Sequence, residues 1–334
     1  MAARPRVALL SFGGTIASTA ASGERGVRPR LTGDELVAAV PGIAAVADIE
    51  AAQLDQVPGS GVRWTTVLAA AREAGRRIAD GCSGVVITQG TDTIEETAMA
   101  LDLLVADDAP LVVTGAMRNP TLPGAEGPAN LLAAVSVAAA PAARGLGTLV
   151  VMHDEVHAAR YVRKTHTESP STFASSPVGP LGWVSEGLPR IAFRPTSRSP
   201  GLAVPADDDL PRVALVAVSQ DDDGPLLRHV ADEGYAGLVV QAMGGGHVPE
   251  RVTPTLEQLA ATMPVVLASR TGGGEVLRST YGFAGSESHL LGLGLIPAGA
   301  LNAPKARVVL ALLLASGRRG DALRTTFDAI AVPQ

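Results

Sequence analysis

Four short apolar runs, each ending in a polar turn, constrain this chain more than any other feature of its sequence. Residues 7–12, 84–88, 110–114 and 148–152 are apolar or β-branched and are bounded by glycine or polar residues. Runs of this length and composition read as strands buried on both faces. Between them, residues 65–79, 94–105 and 128–139 carry helical periodicity and many alanines. Strand alternating with helix implies right-handed βαβ units and a mostly parallel sheet. Aromatic residues make up only 3% of the chain, so Ala, Val, Leu and Ile must build the core, which suits α/β layers.

A chain of 334 residues exceeds what one core usually supports, so two domains are expected. The alternation breaks between residues 187 and 211, where Pro189, Pro195, Pro200, Pro205 and Pro211 recur and Asp207, Asp208 and Asp209 form a solvated acidic patch. That stretch reads as an inter-domain linker. A second α/β set follows, with strands expected at 212–218, 236–241 and 264–269 and helices near 225–233 and 254–262. An apolar helix over 303–316 closes it, with Asn302 as N-cap, Pro304 in its first turn and Gly317 past its end. The expected fold class is α/β with two α/β domains: a larger N-terminal one with a mostly parallel sheet flanked by helices, and a smaller C-terminal one. Boundaries are placed at 1–190, a linker at 191–211, and 212–334.

Charge and cysteine content exclude several functions. The formal net charge is −6 with no basic stripe, which argues against nucleic acid as a partner. Cys82 is the single cysteine, so no intrachain disulfide forms and nothing marks an oxidising compartment. The first residues lack the pattern of a secretory signal, and no run of about 20 apolar residues predicts a membrane span. A cytoplasmic protein without membrane contact is expected.

In open α/β sheets, ligands gather beyond the carboxyl ends of the strands. Those ends carry Gly13-Gly14-Thr15, then Thr88 to Thr93 with Gly90, Thr91 and Asp92, then Gly115 to Asn119 with Ala116, and finally 151–167 with Lys164. This set suits acyl transfer. A threonine hydroxyl becomes a nucleophile once a base or lysine network eases its deprotonation. Two glycines before Thr15 let a substrate approach the backbone. Asp92 suits an amine, Lys164 with Thr91 suits a proton relay, and amides at Gly90-Thr91 suit an oxyanion. Each signal alone has a plainer reading. Gly-Gly-Thr also describes a tight turn, Asp92 or Thr93 also describes an N-cap ahead of Glu95 and Glu96, and Lys164 also describes a surface lysine.

Their coincidence is also a family resemblance. Residues 7–17 (VALLSFGGTIA) and 85–98 (VVITQGTDTIEETA) resemble the two catalytic signatures of bacterial L-asparaginases. The segments 115–119, 126–131, 157–175 (HAARYVRKTHTESPSTFAS), 281–287 and 301–313 are similar too, so the resemblance spans essentially the whole chain. It implies a hydrolase acting on L-asparagine, with L-glutamine as a weaker substrate, and needing no cofactor or metal. It implies that Thr15 forms the acyl-enzyme, that Thr91 and Lys164 relay protons, that Asp92 binds the substrate amino group, and that the Ala116 carbonyl accepts from the substrate amide. The carboxylate loop falls on 58–61, with the family's serine position at Gly59 and Ser60 one residue later, and Gly90 counts with them among the substrate-binding residues. Glu287 matches a glutamate that reaches a neighbouring subunit's site, which implies a dimer or a homotetramer, with the second domain completing the interface.

One departure concerns the lid after the first signature, which in the family commonly supplies a tyrosine. Residues 18–31 contain none, the chain's tyrosines being Tyr161, Tyr235 and Tyr281. Residues 21–26 still read as a flexible lid. Other patterns fit less well. His153 and His157 stand four apart, as on a zinc helix, but the zinc motif needs Glu directly after the first histidine and Asp154 stands there. The triplets 244–246 and 272–274 lack phosphate-loop spacing and read as points of close backbone approach. Besides an asparaginase, the residues leave open a glutaminase, the ammonia-releasing subunit of an amidotransferase, and a non-catalytic amino-acid-binding protein on the same fold. Thr15, Thr91, Asp92 and Lys164 together argue against the last.

Overall fold

In the computed structural model, residues 3–21 and 25–332 are described. The chain divides into two compact units, Met1–Val204 and Pro205–Gln334. The first contains β1 (Arg6–Gly13), β2 (Ser18–Thr19), β3 (Arg28–Pro29), β4 (Asp48–Val57), β5 (Gly84–Thr88), β6 (Leu111–Thr114), β7 (Thr148–Met152), β8 (Glu155–Ala158), β9 (Arg163–Lys164), β10 (Phe173–Ala174), β11 (Gly182–Ser185) and β12 (Leu188–Ile191). Eight of these form one sheet in the order β12-β11-β8-β7-β6-β5-β1-β4. From β4 through β7 neighbours run parallel, and β8, β11 and β12 add antiparallel strands.

The four runs expected as strands all lie in this sheet. Register aligns Leu9 with Val86, Val86 with Val112 and Val112 with Leu149, so one apolar row crosses four strands. Each of these residues is fully buried, and burying a side chain of this size stabilises by about 1.5–3 kcal/mol. This face is covered by α1 (Gly33–Ala38), α2 (Ile43–Val46) and α5 (Gly127–Ala139). On the other face lie α3 (Trp64–Ala79) and α4 (Ile94–Leu104). Strand β4 was not expected from sequence. It is half-exposed, it mixes Asp48, Glu50, Gln53, Asp55 and Gln56 with Ala51, Ala52 and the scattered apolar residues Ile49, Leu54 and Val57, and it lacks the continuous apolar run that marks the buried strands.

The proline-spaced stretch begins inside the sheet, because β12 pairs with β11. It then follows the first unit: the Ala192 and Phe193 amides donate to Leu181 O, and the Leu202 amide donates to Leu103 O. Proline lacks an N–H, so flanking residues provide these bonds.

The second unit is a four-stranded parallel sheet of β13 (Val213–Ala217), β14 (Gly237–Ala242), β15 (Val265–Ser269) and β16 (Ile296–Pro297), in that order. Its helices are α6 (Pro225–Arg228), α7 (Thr253–Thr262), α8 (Glu287–Gly292), α9 (Ala303–Ala315) and α10 (Gly320–Ala331). Helix α9 packs on β13, β14 and β15, and Asn302 caps it by accepting from the Lys305 amide at 3.0 Å. The helix expected near 225–233 is only one turn long. Beyond it the chain tightens into i→i+3 bonds, Val230 N to Leu227 O and Gly234 N to Ala231 O, and Gly234 turns away with φ +70°.

At the carboxyl end of the large sheet, three loops meet backbone to backbone. Gly14 has φ +84°, and a Cβ there would lie 2.1 Å from the Gly90 nitrogen. A Cβ on Gly90 would lie 2.2 Å from the Gly59 nitrogen. The loops after β1, β5 and β4 can therefore touch only where side chains are absent. The Gly14 amide donates to Val57 O at 3.0 Å, and Thr93 Oγ1 donates to Gly59 O at 2.9 Å, which hold the three loops together.

Two expectations follow. Gly90→Ala should lose about 3 kcal/mol or more, since backbone must move to admit one methyl group, whereas Gly75→Ala, at an open position of α3, should gain up to about 1 kcal/mol. Chemical denaturation of both variants checks this. Asp102 on α4 accepts from the Thr148 amide at 2.9 Å, yet burial raises its carboxyl above the ordinary aspartate range despite that bond, Ser199, Arg198 and Arg160. A raised folded-state value favours the protonated form. Its stabilising contribution is thus present at acid pH and lost as pH rises through the folded value. The melting temperature of Asp102→Asn relative to the unsubstituted protein should therefore increase from about pH 4 to pH 8. A flat difference across that range would show that Asp102 does not titrate differently on folding.

Candidate active site

Thr15 opens a 3-10 turn, Thr15–Ala17, directly after β1 and Gly14. The turn is held by Ala17 N to Gly14 O at 3.1 Å and by the Ser18 hydroxyl, which donates to Gly14 O at 2.8 Å. Because Gly14 rests on Gln89 and Gly90, Thr15 and Thr91 are each one residue away from the same contact. Thr91 begins a second 3-10 turn, Thr91–Thr93, which leads into α4. Neither Asp92 nor Thr93 caps that helix by its side chain. Thr93 instead reaches the Gly59 carbonyl and accepts from Gln89 Nε2 at 3.2 Å.

Lys164 arrives from β9, which forms a two-stranded sheet with β10 outside the large sheet. Its Nζ donates to Thr91 Oγ1 at 2.9 Å and to Asp92 Oδ1 at 2.7 Å. The lysine side chain is 16% exposed and that of Asp92 63% exposed, so the pair has one buried end and one end open to a ligand. A surface lysine would have neither this burial nor two such partners. An ammonium held by both a hydroxyl and a carboxylate makes two short, charge-assisted contacts and so has a defined position.

The remaining positions lie around this cluster. Gly59 is buried, and Ser60 is exposed on the 3-10 turn Gly59–Gly61. Ala116 is fully buried and packs with Ile16 around Gly127. Sequence reasoning assigned no role to Glu126 or Asn130. Glu126 accepts from the Met117 and Arg118 amides, while Asn130 Nδ2 donates to Gly115 O at 3.0 Å and Asn130 Oδ1 accepts from the His153 amide at 2.9 Å. These two side chains therefore tie the ends of β6 and β7 to the start of α5. The signal for them was their place in the segment 126–131, read as a match but not as a brace. Of the expected lid, residues 22–24 lie outside the described residues. Its base is an antiparallel pairing of β2 with β3, and the Arg30 and Leu31 amides both donate to Ala17 O, which ties it to the turn bearing Thr15.

In the second unit, Glu287 starts α8 and is 0% exposed. One oxygen accepts from the Thr280 and Tyr281 amides at 2.7 and 2.8 Å, and the other lies 3.1 Å from His247 Nε2. Burial pushes its carboxyl up, but the Tyr281 and Thr280 amides, its own amide and His247 outweigh that and hold it below the ordinary glutamate range. His247 was missed because a lone histidine after three glycines carries no spacing signal. Its ring meets Tyr281 edge-on at 4.9 Å. The segment 153–157, weighed for zinc, is a β-turn-β. His153 sits in the turn with φ +51° and His157 sits in β8, so the helical face that the motif requires is not formed. No described helix is long and apolar enough to cross a membrane.

Comparison with known proteins places this geometry in context. The model of the family described as "Asparaginase, N-terminal" matches residues 6–196, and that of "Glutaminase/Asparaginase C-terminal domain" matches residues 212–327. A probable L-asparaginase of Deinococcus radiodurans is 35% identical over 98% of this chain and 98% of its own length. L-asparaginase 2 of Escherichia coli is 34% identical over 98% of this chain and 93% of its own. The crystal structure of a probable cytoplasmic L-asparaginase from Campylobacter jejuni superimposes with a TM-score of 0.88 at 32% identity, covering 97% of this chain and 99% of that one. Two family models that together span both units, and relatives matched over nearly their full length, make this chain a member of the asparaginase family.

Proposed function

We propose that the protein hydrolyses L-asparagine to L-aspartate and ammonia through a threonine ester. The observation that carries this reading is the hydrogen-bonded set of Lys164 with Thr91 and Asp92, on a loop whose Gly90 backbone touches Gly14, the residue before Thr15. Thr15 Oγ1 attacks the side-chain amide carbon, the C–N bond breaks, and the threonine proton leaves with ammonia. Water then attacks the ester carbonyl, releases aspartate and returns a proton to Thr15. Thr91 and Lys164 supply a path for the proton that water gives up. Asp92, already holding one ammonium in Lys164, has the charge and exposure to receive the substrate's α-ammonium. Ser60 and the amides near Gly59 and Gly90 fit the α-carboxylate, and the Ala116 carbonyl fits the amide N–H.

Glutamine differs from asparagine by one methylene, a difference worth only about 1–3 kcal/mol in a fitted pocket. It remains a second substrate to be measured rather than a separate reading. The expected result is ammonia release from asparagine by the unsubstituted protein, with Thr15→Ala lowering kcat by roughly 10⁴ and Lys164→Met lowering it strongly with intact folding. Thr15→Ala retaining most of the activity would refute the mechanism.

In this reading Glu287 acts across subunits of a homo-oligomer. Because its carboxylate braces the Thr280 and Tyr281 amides, Glu287→Gln is the appropriate variant: it keeps an acceptor and removes the charge. Expected is a loss of turnover. Mixing unfolded Glu287→Gln and Thr15→Ala chains and refolding them together should then restore about a quarter of the sites, since in a symmetric dimer each mixed pair rebuilds one. No recovery above the two variants alone would remove the cross-subunit assignment.

A further inference from the structure

Lys164 is the one member of the cluster that the large sheet does not present directly. It sits in the two-residue strand β9, paired with Phe173 of β10. The loop between them is closed on itself: the Thr165 amide and hydroxyl both donate to Thr172 O at 2.8 Å, the His166 amide donates to Thr172 Oγ1 at 2.9 Å, and His166 Nδ1 accepts from the Glu168 and Ser169 amides. The hairpin is thus rigid in itself, and its aim depends on how it is joined to the sheet. At one end a short turn joins it to β8, with the Tyr161 and Val162 amides donating to Ala158 O. At the other end Ser175, the residue after β10, lies against β8 as well. Its Oγ is 3.0 Å from Nδ1 of His157. Both side chains are buried, His157 at 1% exposure and Ser175 at 3%. Glu155, two residues earlier on β8, places Oε2 3.2 Å from Nε2 of His157.

Serine, histidine and glutamate in a row are the parts of a hydrolase triad, but Ser175 is closed off from any substrate. The array therefore has a different use. Nδ1 of His157 and the Ser175 hydroxyl form one donor–acceptor pair between β8 and the end of the hairpin, its direction set by the ring's tautomer. We infer that the buried His157–Ser175 bond is a positioning clamp that fixes the β9–β10 hairpin on β8 and so sets Lys164 Nζ against Thr91 and Asp92. His157 and Ser175 are positioning residues and touch no reacting atom. The inference rests on the relay role proposed for Lys164. A relay lysine displaced by even about 1 Å loses much of its rate contribution, so a bond of ordinary strength far from the chemistry is read out in kcat rather than in substrate binding.

The test uses the full-length protein and asparagine. Ser175→Ala removes one hydroxyl, His157→Leu removes the ring's polar atoms, and His157→Asn keeps a polar atom near the Nδ1 position. Expected is a fall in kcat of about tenfold for Ser175→Ala and His157→Leu, with KM within about twofold and melting temperature shifted by only a few degrees. His157→Asn should recover at least about half of the lost turnover. In a Lys164→Met background, Ser175→Ala should add no further loss, because the clamp acts through the lysine. Ser175→Ala with unchanged kcat overturns the inference, as does His157→Asn being as impaired as His157→Leu. If His157→Leu does not fold, Ser175→Ala alone decides. Failure of the underlying reading looks different: Lys164→Met would then keep full turnover whatever His157 does.

Discussion

The site depends on three loops brought together without side chains between them. Gly14, Gly90 and Gly59 end or follow three different strands, and their backbones stand so close that a single Cβ at either of the first two would overlap a neighbouring peptide. Everything chemical in the first unit hangs on that contact. It places Thr15 and Thr91 one residue to either side, sets the buried Gly59 beneath the exposed Ser60, and lets Thr93 lock the third loop by its hydroxyl. Close-packed backbone has few soft degrees of freedom, which is what a site needs if its donors are to be in place before substrate arrives.

Lys164 solves a different problem. A cation at the centre of a buried sheet end would be costly if left unpaired, and here it enters from a separate hairpin and meets a hydroxyl and a carboxylate at once. The ion pair with Asp92 is half in water, so its strength is screened on the open side, the side on which a substrate ammonium would arrive. The two ends of the hairpin are both secured to β8, one by a turn and one through His157 and Ser175. Position, more than charge alone, is what the surrounding structure supplies to this lysine.

The second unit builds its own acidic centre by similar means. Glu287, the first residue of α8, is fully buried yet held anionic by the loop amides of Thr280 and Tyr281, with His247 on its second oxygen. Backbone amides donating to a carboxylate stabilise its charge without adding a countercharge. Removing the side chain would therefore disturb the loop it braces as well as any ligand contact. This separates the effect of deleting the residue from the effect of neutralising it.

The sequence by itself determined the α/β class, the four central strands, the main helices and the candidate residues Thr15, Thr91, Asp92 and Lys164. Those features are local: buried strands reveal themselves by apolar runs such as 84–88, and strand ends by the polar turns that follow. Strand β4 escaped because a half-exposed edge strand, whose few large apolar residues are scattered among acidic, amide and alanine residues, has no such signature. Helix α6 proved short, giving way to turns beyond Arg228, and the proline-spaced stretch proved to start within the sheet. Tertiary structure alone decided that Glu287 is buried, that Thr93 bridges loops instead of capping α4, that His247 faces Glu287, and that His157 meets Ser175 rather than His153. The physical reason is common to all four. Each is set by a partner brought from another loop, strand or turn, in several cases by chain distant in sequence, and a hydrogen-bonding side chain carries no mark of which partner the fold will bring within about 3 Å.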